Sequence, residues 1–195
     1  KGNIVTTYYY STSCGKTTTM KAWGTSENES NGYLQSVEVK DKKGDYEKSL
    51  PWYRWEADID QDILSTLLAE NVKKNIGTVQ SLEVTKTGPG GVALQIKAVG
   101  DKGSITVDTE NKIRKALGGN GYEIKKQDGT VAQSGTLLPS AFFKVKKAGN
   151  IFKITGGGYG HGIGMSQNGA NEMAKTGKNY QEILQMFYPG TTIEK

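Results

Sequence analysis

The sequence predicts an α+β fold in which mainly antiparallel strands form the core and two or three short helices pack against it, with a smaller insertion. Three observations support this prediction. Runs of alternating or β-branched residues recur along most of the chain. Glycine-rich turns separate neighbouring runs, as in hairpins. Helical spacing of apolar residues is confined to short stretches, without the regular alternation of strand and helix that builds a parallel sheet.

The first part of the chain contains three predicted strands and one helix. β-branched and aromatic residues over Ile4–Tyr10 predict a strand, and the small polar residues of Ser11–Thr19 predict the loop that ends it. Alternation over Tyr33–Lys40 and the tryptophans within Pro51–Ile59 predict two more strands. The apolar residues that follow Asp60 have helical spacing, and Asp60 is the predicted N-cap.

The remaining elements follow the same patterns. Glycine-punctuated strands are predicted over Val79–Val107, an amphipathic helix over Thr109–Leu117 and a surface hairpin over Gly121–Gly135. The range 60–150 is predicted to be an inserted subdomain. The last predicted elements are two strands, Phe142–Val145 and Asn150–Thr155, and one helical stretch over Gly169–Lys175 and then Tyr180–Met186.

Composition excludes several functional classes. The net charge is +5, but the lysines are scattered and there are only two arginines, Arg54 and Arg114, so we expect no nucleic-acid binding. A generally cationic surface suits an anionic cell wall better. No apolar run approaches the 18 or so residues of a membrane span, and no signal peptide is recognisable. Since numbering begins inside a predicted strand, we expect earlier segments, including any membrane anchor, to be missing.

Cysteine and histidine each occur once, as Cys14 and His161. An internal disulfide is therefore excluded, and so is a zinc site built from three or four Cys and His ligands. We expect no metal and no cofactor.

One segment, Gly156–Gly169 (GGGYGHGIGMSQNG), has seven glycines in fourteen residues and contains the single histidine. Glycine permits positive φ and close approach of a ligand to the backbone, while His161, Ser166 and Gln167 supply hydrogen-bonding groups. A phosphate-binding loop would need a following Lys, and a dinucleotide fingerprint would need βαβ alternation; both are missing. The remaining alternative is a tight turn with a buried, hydrogen-bonded histidine.

This segment resembles the SpoIID/LytB family of bacterial cell-wall proteins. Its sequence matches every fixed position of the family pattern G-x-G-x-G-H-G-x-G-M-S-Q-x-G-A, and a helix and YQEILQMFYPGT follow, similar to the family's Y-x-x-I-L-x-x-Y-Y-P-G-T. Upstream, YYYSTSCGKT resembles the family's Y-h-S-T-S-G-G-x-T turn, with Cys14 in place of the first glycine. The family order continues through LPWYRWEADI, SITVDTENKIRKALG and LPSAFF. The resemblance covers nearly the whole chain, residues 1–195, as one N-terminally incomplete domain.

The resemblance implies action on peptidoglycan glycan strands, particularly strands stripped of peptides. The implied location is outside the cytoplasm, in the cell envelope or secreted, and for a sporulation protein between the mother cell and forespore membranes. SpoIID-type proteins are lytic transglycosylases, whereas the LytB type enhances wall amidases, which would then be partners alongside other sporulation wall proteins. The family's catalytic glutamate precedes the S-T-S turn and has no counterpart in this chain. Glu56 and Glu172 are the alternative carboxylates, and Cys14 with His161 as base is an alternative nucleophile.

We therefore expect a glycan cleft in which the loop Ser11–Thr17 faces His161 and lines one groove with it. The catalytic candidates are His161, Ser166 and Gln167; the substrate-binding candidates are Ser11, Ser13, Cys14, Gly15, Thr17, Tyr159, Gly160, Gly162, Gly164 and Met165.

Overall fold

A computed structural model describes residues 4–194 and has the predicted α+β class, with mostly antiparallel sheets. Its strands are β1 (Tyr9–Tyr10), β2 (Lys40–Asp41), β3 (Gly44–Asp45), β4 (Trp55–Asp60), β5 (Val79–Thr87), β6 (Ala93–Gly100), β7 (Gly103–Asp108), β8 (Glu123–Lys126), β9 (Val131–Gln133), β10 (Phe143–Ala148), β11 (Ile151–Gly156) and β12 (Met165–Ser166). The α-helices of the described range number four, one more than expected: α1 (Gln61–Val72), α2 (Glu110–Leu117), α3 (Gln167–Lys175) and α4 (Tyr180–Phe187).

A five-stranded antiparallel sheet in the order β10-β11-β4-β8-β9 forms the centre of the fold. Its middle strand, β4, alternates buried and more exposed residues, with Trp55, Ala57 and Ile59 on the buried face. On β11, Phe152 and Ile154 are fully buried beside them. Because side chains alternate across a strand, these residues bring one apolar face of the sheet into the core.

A second antiparallel sheet, β5-β6-β7, packs with the first two helices. α1 contacts α2 and β5, and α2 contacts β6 and β7. The predicted N-cap is confirmed, since the Asp60 carboxylate accepts a hydrogen bond from the Asp62 backbone N–H at 2.8 Å. This sheet and both helices lie within 60–150, but β8, β9 and β10 of the same range belong to the central sheet. The inserted subdomain therefore stays a prediction.

The N-terminal part of the described chain and the glycine–histidine segment meet in a short parallel pair, β1 with β12. The Tyr8 carbonyl extends this contact: it accepts hydrogen bonds from the Met165 backbone N–H at 3.0 Å and the Tyr188 hydroxyl at 2.6 Å. Two helices follow with capped N-termini. Ser166 caps α3, and Asn179 with Glu182 forms a capping box at the start of α4. This pairing places the glycine–histidine segment against the Ser11–Thr17 loop.

Three predicted strands require correction. In Ile4–Tyr10 only Tyr9 and Tyr10 form a strand, because the partner strand β12 is itself only two residues long. Tyr33–Lys40 is mostly irregular: the Thr17 N–H donates to the Val37 carbonyl, and the Val37 N–H donates to the Thr17 hydroxyl oxygen in place of a strand ladder. Pro51–Ile59 begins as a 3₁₀ turn over Pro51–Tyr53, where the fixed φ of proline suits the first helical position.

The other elements agree with prediction to within a few residues, including the hairpin of β8 and β9 within Gly121–Gly135. Among residues 4–194, no helix combines the length and apolar character needed to cross a bilayer.

The contact between Tyr8 and the start of β12 can be tested at Gly164. Its φ is +76°, and an added Cβ would collide with the Tyr8 carbonyl. Gly164→Ala should lower the free energy of unfolding by about 2–4 kcal/mol, the sum of backbone strain and a displaced strand pair. Gly149→Ala is the matched control: its φ is +59°, but an added Cβ would have no neighbour within 4 Å, so about 1–2 kcal/mol of strain is expected alone. Urea unfolding that shows equal losses would contradict the role given to this contact.

Candidate functional site

The loop Ser11–Thr17 and the glycine–histidine segment are joined by backbone hydrogen bonds. Thr12 and Tyr159 exchange two of them, at 3.0 and 2.8 Å, and the Thr18 N–H donates to the Gly162 carbonyl at 2.7 Å. Gly160 permits this approach: its φ is +120°, and an added Cβ would lie 2.7 Å from the Cβ of Tyr10. The glycines thus bring two backbones together that are far apart in sequence.

His161 is held by hydrogen bonds at both ring nitrogens. The Ile163 backbone N–H donates to Nδ1 at 3.1 Å, so Nδ1 carries no proton, and Nε2–H donates to the Tyr9 carbonyl at 2.9 Å. Burial lowers the pKa of the imidazole, which favours this neutral form. The ring also packs against Trp23, with centroids 5.1 Å apart. These contacts suit His161 for ordering the backbone around it.

The Cys14–His161 nucleophile and base pair has no geometric support. Both ring nitrogens of His161 form hydrogen bonds with backbone groups, of Ile163 and Tyr9. Cys14 and His161 also line different cavities. Burial also raises the pKa of the Cys14 thiol, which disfavours the reactive thiolate.

A fully buried carboxyl group, Glu47, organises the site and was missed by the sequence interpretation. Its Oε1 accepts hydrogen bonds from the Ser13 backbone N–H at 3.0 Å and the Ser166 hydroxyl at 2.7 Å, and its Oε2 contacts the Ser13 hydroxyl. Burial raises the pKa of Glu47 although these hydrogen bonds oppose the shift. The signal available in the sequence was weak, since Glu47 lies in a charged, polar stretch.

A groove of about 620 Å³ opens beside the Ser11–Thr17 loop. Glycines from three segments, Gly15, Gly90–Gly91 and Gly156–Gly157, line it together with Phe142–Phe143. Since glycine has no side chain, a broad ligand can lie directly against the backbone here. Such a groove suits an extended polymer better than a small cofactor.

Cationic side chains outnumber carboxylates around this groove. The cations are Lys16, Lys40, Arg54 and Lys144, and the carboxylates are Glu38 and Asp45. Glu38 pairs with both Lys16 at 3.3 Å and Lys40 at 2.5 Å. The Arg54 guanidinium is fixed by the Cys14 carbonyl at 2.9 Å. The excess of positive charge would attract an anionic ligand.

His161 lines a second cavity, of about 390 Å³, with Trp23, Glu110 and Arg114. Glu110 is buried, accepts a hydrogen bond from the Trp23 indole at 2.8 Å and pairs with Arg114 at 3.4 Å. The Arg114 Nε also donates to the Leu138 carbonyl at 2.8 Å. Trp23 thus links the start of α2 to the histidine, since its indole bonds Glu110 and packs against His161. The sequence patterns do not predict this buried ion pair.

The structure brings the predicted site residues together but gives them different surroundings. Ser13, Thr17 and Ser166 are buried, and Ser166 is the N-cap of α3 as well as a partner of Glu47. Gln167 is exposed on the first turn of α3. The Ser11 carbonyl accepts from the Asn168 N–H at 3.0 Å. The candidates with backbone roles are Gly160, Gly162 and Gly164, all with positive φ, and Met165, which pairs with Tyr9.

The expectation of a single groove is wrong in one respect. The two segments are in contact, yet Cys14 and Gly15 line the larger groove while His161 opens onto the second cavity. The backbone between Gly157 and His161 runs from one cavity to the other, so its residues cannot all face the same space.

The alternative carboxylates are not in either cavity. Glu56 forms ion pairs with Lys125 and Lys153 on the central sheet, and Glu172 pairs with Lys175 on α3 at 2.7 Å. Over residues 4–194, no three His, Cys, Asp or Glu side chains cluster in a way that could hold a metal ion.

Comparison with known proteins places these features in a family. A family model described as "Domain of unknown function (DUF8618)" matches residues 21–164. Stage II sporulation protein D of Bacillus subtilis (strain 168) is 31% identical over 187 residues, which cover 96% of this chain and 44% of that protein. The protein of the same name from Bacillus amyloliquefaciens is 35% identical over 104 residues, 53% of this chain and 29% of that protein.

A third relative is the amidase enhancer of Bacillus subtilis (strain 168), 50% identical over 58 residues, which cover 30% of this chain and 8% of that protein. The chain therefore spans less than half the length of these curated relatives. Together they confirm the SpoIID/LytB resemblance that the sequence motifs predict.

Replacing Glu47 tests the buried network. The pKa of Glu47 is raised by folding, so the folded state binds more protons and stability falls as pH rises from about 4.3, the ordinary glutamate value, through the raised value. Glu47→Gln cannot ionise, and its stability relative to wild type should increase across this pH window. Glu47→Ala should lose about 2–4 kcal/mol because Ser13 and Ser166 lose their buried partner. Urea unfolding measured over a pH series checks both variants, and a Gln variant with an unchanged pH dependence would count against the prediction.

Proposed function

Because the chain belongs to the family described as "Domain of unknown function (DUF8618)" and is related to SpoIID/LytB-type proteins, we propose that it binds peptidoglycan glycan strands in the larger groove. The observation that carries this proposal is the groove itself, lined by glycines and cationic side chains beside the Ser11–Thr17 loop. A polysaccharide needs a wide surface free of bulky side chains, and the glycine backbone provides one.

The charge of the groove favours peptide-stripped strands. Removing the stem peptide leaves a free carboxylate on each N-acetylmuramic acid, and this anion would be attracted by Lys144 and Arg54 at the groove wall. A glycan without carboxylates would lack this attraction. Because peptidoglycan lies outside the cytoplasm, this proposal places the protein in the cell envelope. Sporulation wall proteins and amidases are the expected partners there.

Cleavage of the bond between N-acetylmuramic acid and N-acetylglucosamine is the finer proposal. In lytic transglycosylation a carboxylic acid protonates the glycosidic oxygen, and the bond from this oxygen to C1 of N-acetylmuramic acid breaks. The 6-hydroxyl of this N-acetylmuramic acid then bonds to C1, and its proton returns to the carboxylate. The neutral groups of His161, Ser166 and Gln167 would orient the site rather than transfer this proton. We propose that the acid comes from sequence that precedes the S-T-S turn in SpoIID-type proteins.

The second candidate function is enhancement of a wall amidase. It is favoured by the amidase enhancer relative and by the hydrogen bonds that engage the buried Glu47 carboxyl group with Ser13 and Ser166 inside the protein. In this case the chain would bind glycan without cleaving it.

Glycan binding can be tested at the groove wall. Lys144→Glu should weaken binding of purified peptide-free glycan strands roughly threefold, since it replaces an attraction by a repulsion. Lys146→Glu is the matched control, another exposed lysine of β10 that does not line the groove. Cosedimentation or fluorescence titration measures both affinities. Failure of the wild-type chain to bind the strands would refute the proposed function.

Cleavage requires a separate experiment. The 195-residue chain incubated with peptide-free glycan should release almost no anhydro-sugar products in mass spectrometry. A fusion carries, before this chain, the segment that precedes the S-T-S turn in stage II sporulation protein D of Bacillus subtilis. This fusion should release about 10²–10⁴-fold more anhydro-sugar product, the usual contribution of a positioned acid. If the chain alone cleaves as well as the fusion, one of its own carboxylates is the acid. If both bind and neither cleaves, the amidase-enhancing role is the better account.

A further inference from the structure

Tyr159 is the one side chain within the run GGGYG, and it is 42% exposed. Its backbone is fixed by the two hydrogen bonds to Thr12, at 3.0 and 2.8 Å. The flanking Gly158 and Gly160 have positive φ, and side chains there would meet Thr12 and Tyr10. The positions directly before and after Tyr159 thus carry no side chain, and its large aromatic ring is exposed to solvent at a fixed place on the backbone.

The ring of Tyr159 is supported from beneath by Trp52. The two ring centroids are 4.8 Å apart with an interplanar angle of 52°. Trp52 is half-buried, and its carbonyl accepts a hydrogen bond from the Gly158 N–H at 2.8 Å, so the backbone of Trp52 is joined to the residue that precedes Tyr159. Lys126 Nζ lies 5.2 Å from the indole centroid. Trp52 therefore contacts both Tyr159 and Lys126, and the ring of Tyr159 is the more exposed of the two aromatic rings.

The pair lies close in sequence to the proposed glycan groove. Gly157, two residues before Tyr159, and Arg54, two residues after Trp52, both line the groove. An aromatic ring that is rigid before binding contributes contact area at low entropic cost. A pyranose ring offers a complementary apolar surface, the face that carries its axial C–H bonds.

We propose that Tyr159 is a sugar-stacking residue that receives the C–H face of one N-acetylhexosamine of the glycan, and that Trp52 is a positioning residue that holds the tyrosine ring at the required angle. This inference rests on the proposed glycan binding. Stacking uses the face of the ring, so the phenolic hydroxyl is dispensable. The proposal also predicts that substitutions of Trp52 and Tyr159 have coupled effects on the affinity for glycan.

The experiment measures binding of peptide-free glycan strands to variants at the exposed ring. Tyr159→Leu should weaken binding about tenfold, because it keeps an apolar side chain but removes the aromatic face. Tyr159→Phe should stay within about twofold of wild type, since the face is retained. Tyr180→Leu is the matched control, the same change at a tyrosine of α4 that is 53% exposed and should leave binding unchanged.

The positioning role of Trp52 is tested by a double-mutant cycle. Trp52→Leu should weaken binding about threefold in the wild-type chain and have no further effect in the Tyr159→Leu chain, whereas a merely structural effect would be the same in both. Circular dichroism and thermal unfolding establish that each variant is folded.

The outcomes separate the two proposals. If wild type binds the strands and Tyr159→Leu binds equally well, stacking is wrong and the proposed function stands. If Tyr159→Phe loses as much as Tyr159→Leu, the hydroxyl rather than the ring face makes the contact, and stacking is again wrong. If wild type does not bind the strands, the proposed function fails and this inference fails with it.

Discussion

The Glu47 carboxyl group is fully buried and binds Ser13 in the first loop and Ser166 at the start of α3. Ser166 in turn caps this helix through the Gly169 N–H at 3.2 Å. Three segments that are distant in sequence are therefore held by one side chain. Leaving any of these groups without its partner in the interior would be costly, so the arrangement is specific as well as stabilising. The positions of the groove wall and of the glycine–histidine segment depend on it.

The contacts of Ser166 and His161 consequently stabilise the structure of the site. The Ser166 hydroxyl donates a hydrogen bond to Glu47, and both ring nitrogens of His161 form hydrogen bonds with backbone groups of Tyr9 and Ile163. Invoking either one as an acid or base would require it to break these bonds. Their role is better understood as fixing a backbone on which glycines remain free to meet a ligand.

The glycine–histidine segment separates two spaces with different chemistry. On one side lies the cationic, glycine-lined groove, and on the other a smaller cavity that contains the buried Glu110–Arg114 pair. The first has surface and charge for an anionic polymer, whereas the charges of the second are largely paired with each other. This contrast is why the proposed function is assigned to the groove rather than to the cavity that contains the histidine.

The sequence by itself determined the fold class, most helices and hairpins, the Asp60 cap and the family, because periodicity, turn chemistry and a long motif are local properties. It also identified the two segments that meet, because both are small, polar and nearly free of bulky side chains. Tertiary structure alone decided that Tyr33–Lys40 is not a strand, that His161 and Cys14 face different cavities, and that Glu47 is the buried partner of Ser13 and Ser166. A carboxylate in a polar stretch has the same local pattern whether it is solvated or buried, and only the packing of distant segments around it determines which of the two occurs.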